Sequence, residues 1–234
     1  MVSPLFIFDL DNTLYSRELP IWHMVDERIE MYVMRRLGVD TESAKRVRMG
    51  YLDEYGSTLQ GLVRHHGVKH EEYLEYIHDV PASELVPPRP ELGEMLAKLP
   101  GKCVVFTNGS WDYAHRVLMA LGVADRMEKI FGIEFMEYIA KPSPYPYKKL
   151  LRVMGAVAED SLFCDDSRRN LLPAREMGIF TVLVGESAEP QGALLLKMPP
   201  PSFRPHAVIK DICDLPDALH AFPPMAKARP GGNG

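Results

Sequence analysis

The stretch Phe6-Ile7-Phe8-Asp9-Leu10-Asp11-Asn12-Thr13-Leu14 places two carboxylates two residues apart, directly after a short apolar run. The run starts just after Pro4 and is continuously hydrophobic, which predicts a strand buried on both faces of a sheet. Side chains alternate along a strand, so the two acids share a side while the backbone stays extended, and just beyond the strand end both can line one crevice. Ligands of parallel α/β sheets bind at that edge. The stretch therefore predicts a central strand and a candidate reaction site, although acidic residues are also common in ordinary turns.

Three later segments place polar residues where a predicted strand ends or a loop enters a helix. They are Cys103–Phe106 followed by Thr107-Asn108-Gly109-Ser110, then Lys141-Pro142, then Ser161–Cys164 followed by Asp165-Asp166-Ser167 with Asn170 four residues beyond Asp166. Each segment alone is consistent with a turn, a helix cap or a solvated lysine. Four unrelated turns would have to imitate one site in chain order, so together they predict a single site.

These four clusters resemble the signature motifs of the haloacid dehalogenase superfamily of phosphohydrolases. Those motifs are Asp-x-Asp-x-Thr/Val, a strand-end Ser/Thr, a Lys and a late acidic pair, and here they occur in that order over roughly Leu5 to Gly185. The combination is specific, whereas any one motif alone is weak. The resemblance implies an α/β fold, with a Rossmann-like parallel sheet core and an inserted all-helical cap.

The acidic residues of the first and last clusters need a counter-charge if they meet in one crevice. Two like charges 4 Å apart repel by about 4 kcal/mol at an effective dielectric constant near 20. Such a cluster must take up protons or bind a cation, and all-oxygen ligands favour a hard ion. The three cysteines are far apart and form no zinc-like pairs. The expected cofactor is therefore Mg2+.

The resemblance also implies a role for each motif residue. It assigns the nucleophile to Asp9, which would form an aspartyl-phosphate, and general acid–base work to Asp11. The expected phosphate-binding residues are Thr107, Asn108, Gly109 and Lys141. The expected metal ligands are Asp9, Asp11 through its main-chain carbonyl, and Asp166, with Asp165 and Asn170 orienting that ligand or its waters.

The segment between the first and second motifs reads as four helices without a convincing strand. We expect a helical cap at residues 16–85, inserted into an α/β core formed by residues 1–15 and 86–220. A strand is expected at Ala207-Val208-Ile209, and a disordered tail at residues 221–234. A cap of this kind excludes water and supplies the pocket for the leaving group.

Two cap segments, Tyr55–Leu62 and Tyr76–Asp79, resemble the pyrimidine 5'-nucleotidase branch of the superfamily. The resemblance implies nucleoside 5'-monophosphates as substrates. The candidate nucleoside contacts are Tyr55, Thr58, Gln60 and His65, with Trp22 and Tyr51 more typical of core or rim residues. Gly109 stands where many relatives carry a larger residue, so the substrate is less sharply indicated than the reaction.

Several alternatives remain open at this point. Within the class of phosphohydrolases, the alternative substrate is a small metabolite such as phosphoglycolate or a sugar phosphate. Carbon–halogen hydrolases need neither a leaving-group acid nor Mg2+, so Asp11 and the late acidic pair argue against them. Outside the enzymes, a receiver-like phosphoacceptor module carries its acidic pair early, whereas here the pair comes last. An inactive binding module is the remaining option.

Composition is consistent with an enzyme that acts on a small phosphomonoester. The 234 residues carry a net charge of −5, which gives no reason to expect nucleic-acid binding. No apolar run approaches the ~20 residues that span a bilayer. The N-terminus shows no basic region followed by an apolar one, and the odd number of cysteines indicates reduced thiols. We therefore expect a cytoplasmic protein; the oligomeric state stays open.

Overall fold

A computed structural model describes residues 3–185, 200 and 202–224 of the chain. Its centre is a six-stranded sheet in the order β3-β2-β1-β4-β5-β6. The strands are β1 Leu5–Phe8, β2 Lys102–Phe106, β3 Lys129–Phe131, β4 Ser161–Asp165, β5 Phe180–Val184 and β6 Ala207–Ile209. Every neighbouring pair is parallel. The predicted parallel α/β fold is confirmed, including the last strand.

Strand β1 lies at the centre of the sheet, between β2 and β4, and all four of its residues are buried. Phe6 and Phe8 pack in the apolar layer on one face, while Leu5 and Ile7 pack in the layer on the other. A strand covered by helices on both sides must be apolar at every position, which explains the uninterrupted hydrophobic run. The predicted burial of both faces is confirmed.

Helices cover the two faces of the sheet and fill the segment after β1. They are α1 Pro20–Leu37, α2 Thr41–Tyr55, α3 Thr58–His66, α4 His70–His78, α5 Ala82–Leu85, α6 Pro90–Ala97, α7 Trp111–Leu121, α8 Pro144–Met154, α9 Arg168–Glu176 and α10 Leu215–Ala218. Among the described residues, no helix combines the length and apolarity that crossing a bilayer requires.

The four helices expected between the first two motifs are α1 to α4. Helix α1 ends at Gly38 and α3 at Gly67, both with a left-handed backbone that glycine adopts without a steric penalty. Asp40 and Ser57 cap the starts of α2 and α3 by accepting a hydrogen bond from a backbone N–H. Helix α1 packs against α2 and α4, and α3 packs against α2. These helices form one layered unit beside the sheet edge.

The parallel strands bring their carboxyl ends to one edge of the sheet. Asp9 follows β1, Thr107 follows β2, and Asp165 is the last residue of β4. The backbone N–H of Asp9 donates to the Cys164 carbonyl at 2.9 Å, which extends the pairing of β1 and β4 up to the acids. Three of the four sequence motifs therefore meet because of strand order alone.

The predicted disordered tail, residues 221–234, is wrong for its first residues, which the structure describes up to residue 224. Phe222 is 0% exposed and packs its ring against Phe6 and Phe180, with centroids 6.0 and 5.5 Å apart. Burying an aromatic side chain in the central layer fixes this part of the chain, although its direct neighbours are Ala221 and Pro223. Residues 225–234 of the expected tail lie outside the described residues.

Replacing Phe222 with Ala should lower the free energy of unfolding by about 3–5 kcal/mol, because the substitution leaves a cavity beside two aromatic rings. Urea denaturation followed by circular dichroism measures this loss. Val208→Ala is the matched control, since Val208 is 63% exposed, and it should change stability by less than about 0.5 kcal/mol. Equal stability of the Phe222 variant and the wild type would contradict the packing described.

Candidate active site

The Lys141 ammonium group joins three of the predicted motifs. Its Nζ donates to Asp9 Oδ1 at 2.7 Å, to Asp165 Oδ2 at 2.9 Å and to the Phe106 carbonyl at 2.8 Å. Lys141 is only 2% exposed. Burial alone would lower its pKa, but the Asp165 and Asp9 carboxylates outweigh burial and raise the pKa above its ordinary value. The lysine therefore stays charged and holds two acids from neighbouring strands together.

Asp165 is held by hydrogen bonds on both of its oxygens. Asn170 Nδ2 donates to the two oxygens at 3.1 and 3.0 Å, and the Ser167 N–H donates to Oδ1 at 2.8 Å. Burial raises the pKa of this carboxyl, while the Lys141 ammonium opposes that rise. With its oxygens occupied in this way, Asp165 is placed to orient its neighbours, and the roles expected for Asp165 and Asn170 at a metal stay a prediction.

Asp9, Asp165 and Asp166 form a cluster of carboxylates. One oxygen from each residue lies within 4.8 Å of the other two. Burial and the nearby Asp9 carboxylate raise the pKa of Asp166, which means that its charge needs a partner. Arg17 supplies part of that charge by donating to Asp166 Oδ2 at 2.8 Å. Clustered carboxylates with only hard oxygen donors fit Mg2+, which keeps several waters and needs few protein ligands.

Asp11 is held by two phenols. Tyr15 and Tyr113 donate to the same atom, Asp11 Oδ1, at 2.5 and 2.8 Å. Burial first, and the Asp9 charge second, raise the pKa of Asp11 to about 7, against the lowering effect of the two hydrogen bonds. The carboxyl group can thus exchange a proton near neutral pH, as a general acid–base must.

Tyr113 is positioned by a buried histidine that the sequence did not single out. The His78 ring stacks on the Tyr113 ring, with centroids 4.5 Å apart, and its Nδ1 lies 3.0 Å from Ser110 Oγ. Burial lowers the pKa of His78 to about 3, so the imidazole is neutral. His78 ends helix α4 and Ser110 caps α7, so this contact ties the helical unit to the sheet edge.

The loop after β2 places the predicted phosphate-binding residues. The buried Thr107 hydroxyl accepts from the Gly109 N–H at 2.9 Å. Asn108 bonds the Lys141 backbone through its side chain, accepting from the N–H at 2.8 Å and donating to the carbonyl at 3.2 Å. A Cβ on Gly109 would lie 3.1 Å from the Tyr113 ring. The ring therefore accounts for glycine at this position.

A cavity of about 260 Å³ separates α1 to α4 from the sheet edge, with Asp11, Asn108 and Gly109 on one side. Of the four candidate specificity residues, only Thr58 lines it, together with Trp22.

The other candidates lie elsewhere, which corrects their expected positions. Tyr55 OH lies 2.6 Å from His65 Nε2 at the surface. Gln60 Nε2 donates to the Tyr138 carbonyl at 2.6 Å and so joins the helices to the core. Tyr51 stacks on the His65 ring. The rotation of each helix about its axis directs these side chains away from the cavity. A single sequence does not fix that rotation where a helix packs on two sides.

Replacing Asp11 with Asn should stabilise the metal-free protein above pH 7 by about 1–3 kcal/mol. The folded carboxyl keeps its proton up to a pKa of about 7, whereas the unfolded carboxyl loses it near its ordinary pKa. Wild-type stability therefore falls as the pH rises from about 4 to 7. Urea denaturation in EDTA at pH 4 and pH 8 tests this difference. Equal stability of the two proteins at pH 8 would contradict the pKa shift.

Replacing Lys141 with Met should lower the free energy of unfolding by about 3–5 kcal/mol, because two buried carboxylates lose their shared cation. Adding Mg2+ should restore part of this loss, and EDTA should remove the gain again. Lys102→Met is the control, since its ion pair with Glu128 is solvent-exposed and is worth about 1 kcal/mol at most. Thermal and urea unfolding with and without Mg2+ measure both variants.

Comparisons with known proteins agree with this geometry. A family model for haloacid dehalogenase-like hydrolases matches residues 4–178. Phosphate metabolism protein 8 of Saccharomyces cerevisiae is 26% identical over 228 residues, covering 90% of this chain and 71% of the relative. Phosphoglycolate phosphatase of Neisseria gonorrhoeae is 32% identical over 112 residues, which is 47% of each chain.

Among solved structures, beta-phosphoglucomutase of Clostridium difficile aligns with a TM-score of 0.61 at 16% identity. The alignment covers 97% of this chain and 100% of the other. At that identity the likeness shows the fold alone. The superfamily predicted from the sequence is confirmed, while the pyrimidine 5'-nucleotidase branch stays a prediction. The chain belongs to the haloacid dehalogenase-like hydrolase family.

Proposed function

We propose that this hydrolase is a Mg2+-dependent phosphomonoesterase that uses Asp9 as its nucleophile and acts on nucleoside 5'-monophosphates, in particular those of pyrimidines. The observation that carries the reaction is the Lys141 ammonium, which holds Asp9 and Asp165 within hydrogen-bond distance at the sheet edge. The relatives named for phosphate chemistry support a phosphorylated substrate. The helices at residues 16–85 act as the cap of the core formed by residues 1–15 and 86–220.

In the first step, an Asp9 carboxylate oxygen forms a bond to phosphorus while the bond to the leaving-group oxygen breaks. Lys141 fixes Asp9 Oδ1 at 2.7 Å and leaves Oδ2 with a longer contact of 3.3 Å from the Thr13 hydroxyl. The Oδ2 atom is therefore the freer one to attack. Asp11 gives its proton to the departing alkoxide, and its pKa of about 7 suits that transfer.

In the second step, Asp11 removes a proton from water, which attacks phosphorus and releases Asp9 and inorganic phosphate. The Asn108 and Gly109 backbone amides lie in the loop just before α7, where N–H groups and the helix dipole favour a phosphoryl oxygen, and the Gly109 N–H would exchange its bond to the Thr107 hydroxyl for one to the phosphate. Lys141 offsets negative charge on the transferring group. Bound at Asp9 and Asp166, Mg2+ supplies charge neutralisation between the carboxylates and the phosphate.

Sugar phosphates and phosphoglycolate are the alternatives within the same reaction. A phosphoacceptor module or an inactive binding protein is the alternative outside enzymes, and a long-lived phosphoprotein without phosphate release would favour the former. We infer a cytoplasmic protein, consistent with Cys103 and Cys164, which are unpaired and buried.

Replacing Asp9 with Asn should lower phosphate release by at least about 10³-fold, because an amide oxygen is a poor nucleophile towards phosphorus. The wild type should release phosphate from UMP or CMP with Mg2+ and stop when EDTA is added. Circular dichroism should show that the variant is folded. Comparable turnover by the folded Asp9 variant would refute the proposed nucleophile, and no turnover of any phosphomonoester by the wild type would refute the phosphatase.

A further inference from the structure

The cavity between α1–α4 and the sheet edge also has an arrangement of charge that bears on the leaving group. We propose that this cavity selects a leaving group without charge and rejects one that carries a carboxylate, and that the Asp26–Arg48 ion pair sets this preference. The inference rests on the proposed phosphatase, because the group in the cavity is the alcohol that departs from phosphorus. Such a cavity distinguishes a nucleoside leaving group from glycolate by charge.

Arg48 is the arginine among the residues that line the cavity, and no lysine lines it in the described part of the chain. Its Nη2 bonds Asp26 Oδ1, and its Nη1 lies 3.4 Å from the Asp26 carbonyl and 3.7 Å from Glu30 Oε2. The Arg48 side chain is 12% exposed. Its positive charge is thus already matched by two acids before a ligand enters.

The remaining ionisable groups of the wall add negative charge or none. Asp11 lines the cavity on the side of the reacting phosphate, and Asp26 lines it on the opposite, helical side. His78 lines it as a neutral imidazole, since burial keeps its pKa near 3. With Asp11 protonated for the proposed step, a carboxylated leaving group would be desolvated near the Asp26 carboxylate, and no unpaired cation is found among the described lining residues, which is unfavourable for binding.

The rest of the wall suits an apolar ring. The apolar lining residues include Trp22, Val25, Ile29, Leu52, Leu59 and Ile133. Ser57 and Thr58 offer hydroxyls at one end. Arg48 Nε is buried and has no hydrogen-bond partner among the described residues. A heteroatom of an uncharged ring can satisfy such a donor once the side chain turns towards the cavity, whereas a carboxylate would compete with Asp26 for the same guanidinium.

The test uses two substrates that differ only in charge: 2-phosphoglycolate and its neutral amide, 2-phosphoglycolamide. The wild type should hydrolyse the amide with a kcat/KM at least about 10-fold above that of the acid, and UMP above both. Asp26→Asn leaves Arg48 with the more distant Glu30 as its one acidic partner among the described residues and removes one negative charge, so the amide-to-acid ratio should fall below about 3-fold. The ratio, unlike the absolute rate, is insensitive to partial loss of active protein.

Glu42→Gln is the matched control. Glu42 lies on the same helix as Arg48 and forms an ion pair with Arg46, but its side chain is 76% exposed and does not line the cavity. This variant should keep the wild-type amide-to-acid ratio. That result separates the effect of the Asp26–Arg48 pair from the effect of the net charge of the helical unit.

The outcomes separate the inference from the proposed function. A wild type that hydrolyses the acid as well as the amide overturns the inference while the phosphatase stands. An unchanged ratio in a folded Asp26→Asn variant overturns the role of the ion pair. If that variant does not fold, the wild-type ratio still decides on charge selection, and competitive inhibition by uridine against glycolate decides independently. A wild type that cleaves none of these esters removes the proposed function, and the inference falls with it.

Discussion

The structure depends on one buried cation, the Lys141 ammonium at the carboxyl edge of the sheet. Three acceptors surround it, two of them carboxylates from different strands, and each of its three protons has a partner. Without that cation, Asp9 and Asp165 would be two desolvated like charges, which a protein interior does not tolerate. The motif lysine is therefore a structural requirement of the site before it has any part in chemistry.

This requirement explains why residues more than 130 positions apart act together. Lys141 reaches Asp9 because Asn108 holds its backbone through two hydrogen bonds. Asn108 follows β2, and β2 pairs with β1 in register. Strand order sets the positions of Asp9 and Asp165, and the loop after β2 sets the position of Lys141. The Lys141 ammonium then offsets the charge of the two carboxylates. A metal ion can then be shared by acids that are already neutralised in part.

The sequence predicted this edge of the fold well because its determinants are local. Uninterrupted apolar runs mark β1 and β4, and the acids follow directly. It predicted the cap contacts poorly, since Tyr55 and His65 contact each other at the surface and, of the four candidate residues, Thr58 alone lines the cavity. Alternation in a strand fixes a side chain's face, but an amphipathic helix packed on two sides leaves several phases compatible with one pattern.

Aromatic residues were the second source of error, for a related reason. Phe222 is buried by rings from distant strands, and its short flanking segment gives no periodic signal. Tyr15 lies four residues after Asp11, and one turn of chain brings its hydroxyl back to the acid. This spacing is visible in the sequence of the first motif and could have indicated the contact. Tyr113 has no such local relation to Asp11. Only the packed structure brings its hydroxyl to the acid.

Asp11 connects the chemistry with the choice of substrate. Two phenols donate to its Oδ1, so the bonds of the active site leave Oδ2 as the atom free to face the leaving group. One of these phenols stacks on His78, at the end of the last cap helix. A shift of that helix would therefore act on Asp11, the proposed general acid, through a ring contact. The same carboxyl lines the cavity on the side of the sheet edge, where a charge on the proposed leaving group would lie near it. An anionic leaving group would oppose the loss of a proton from Asp11 and would also lie against Asp26, so one distribution of charge affects both binding and proton transfer.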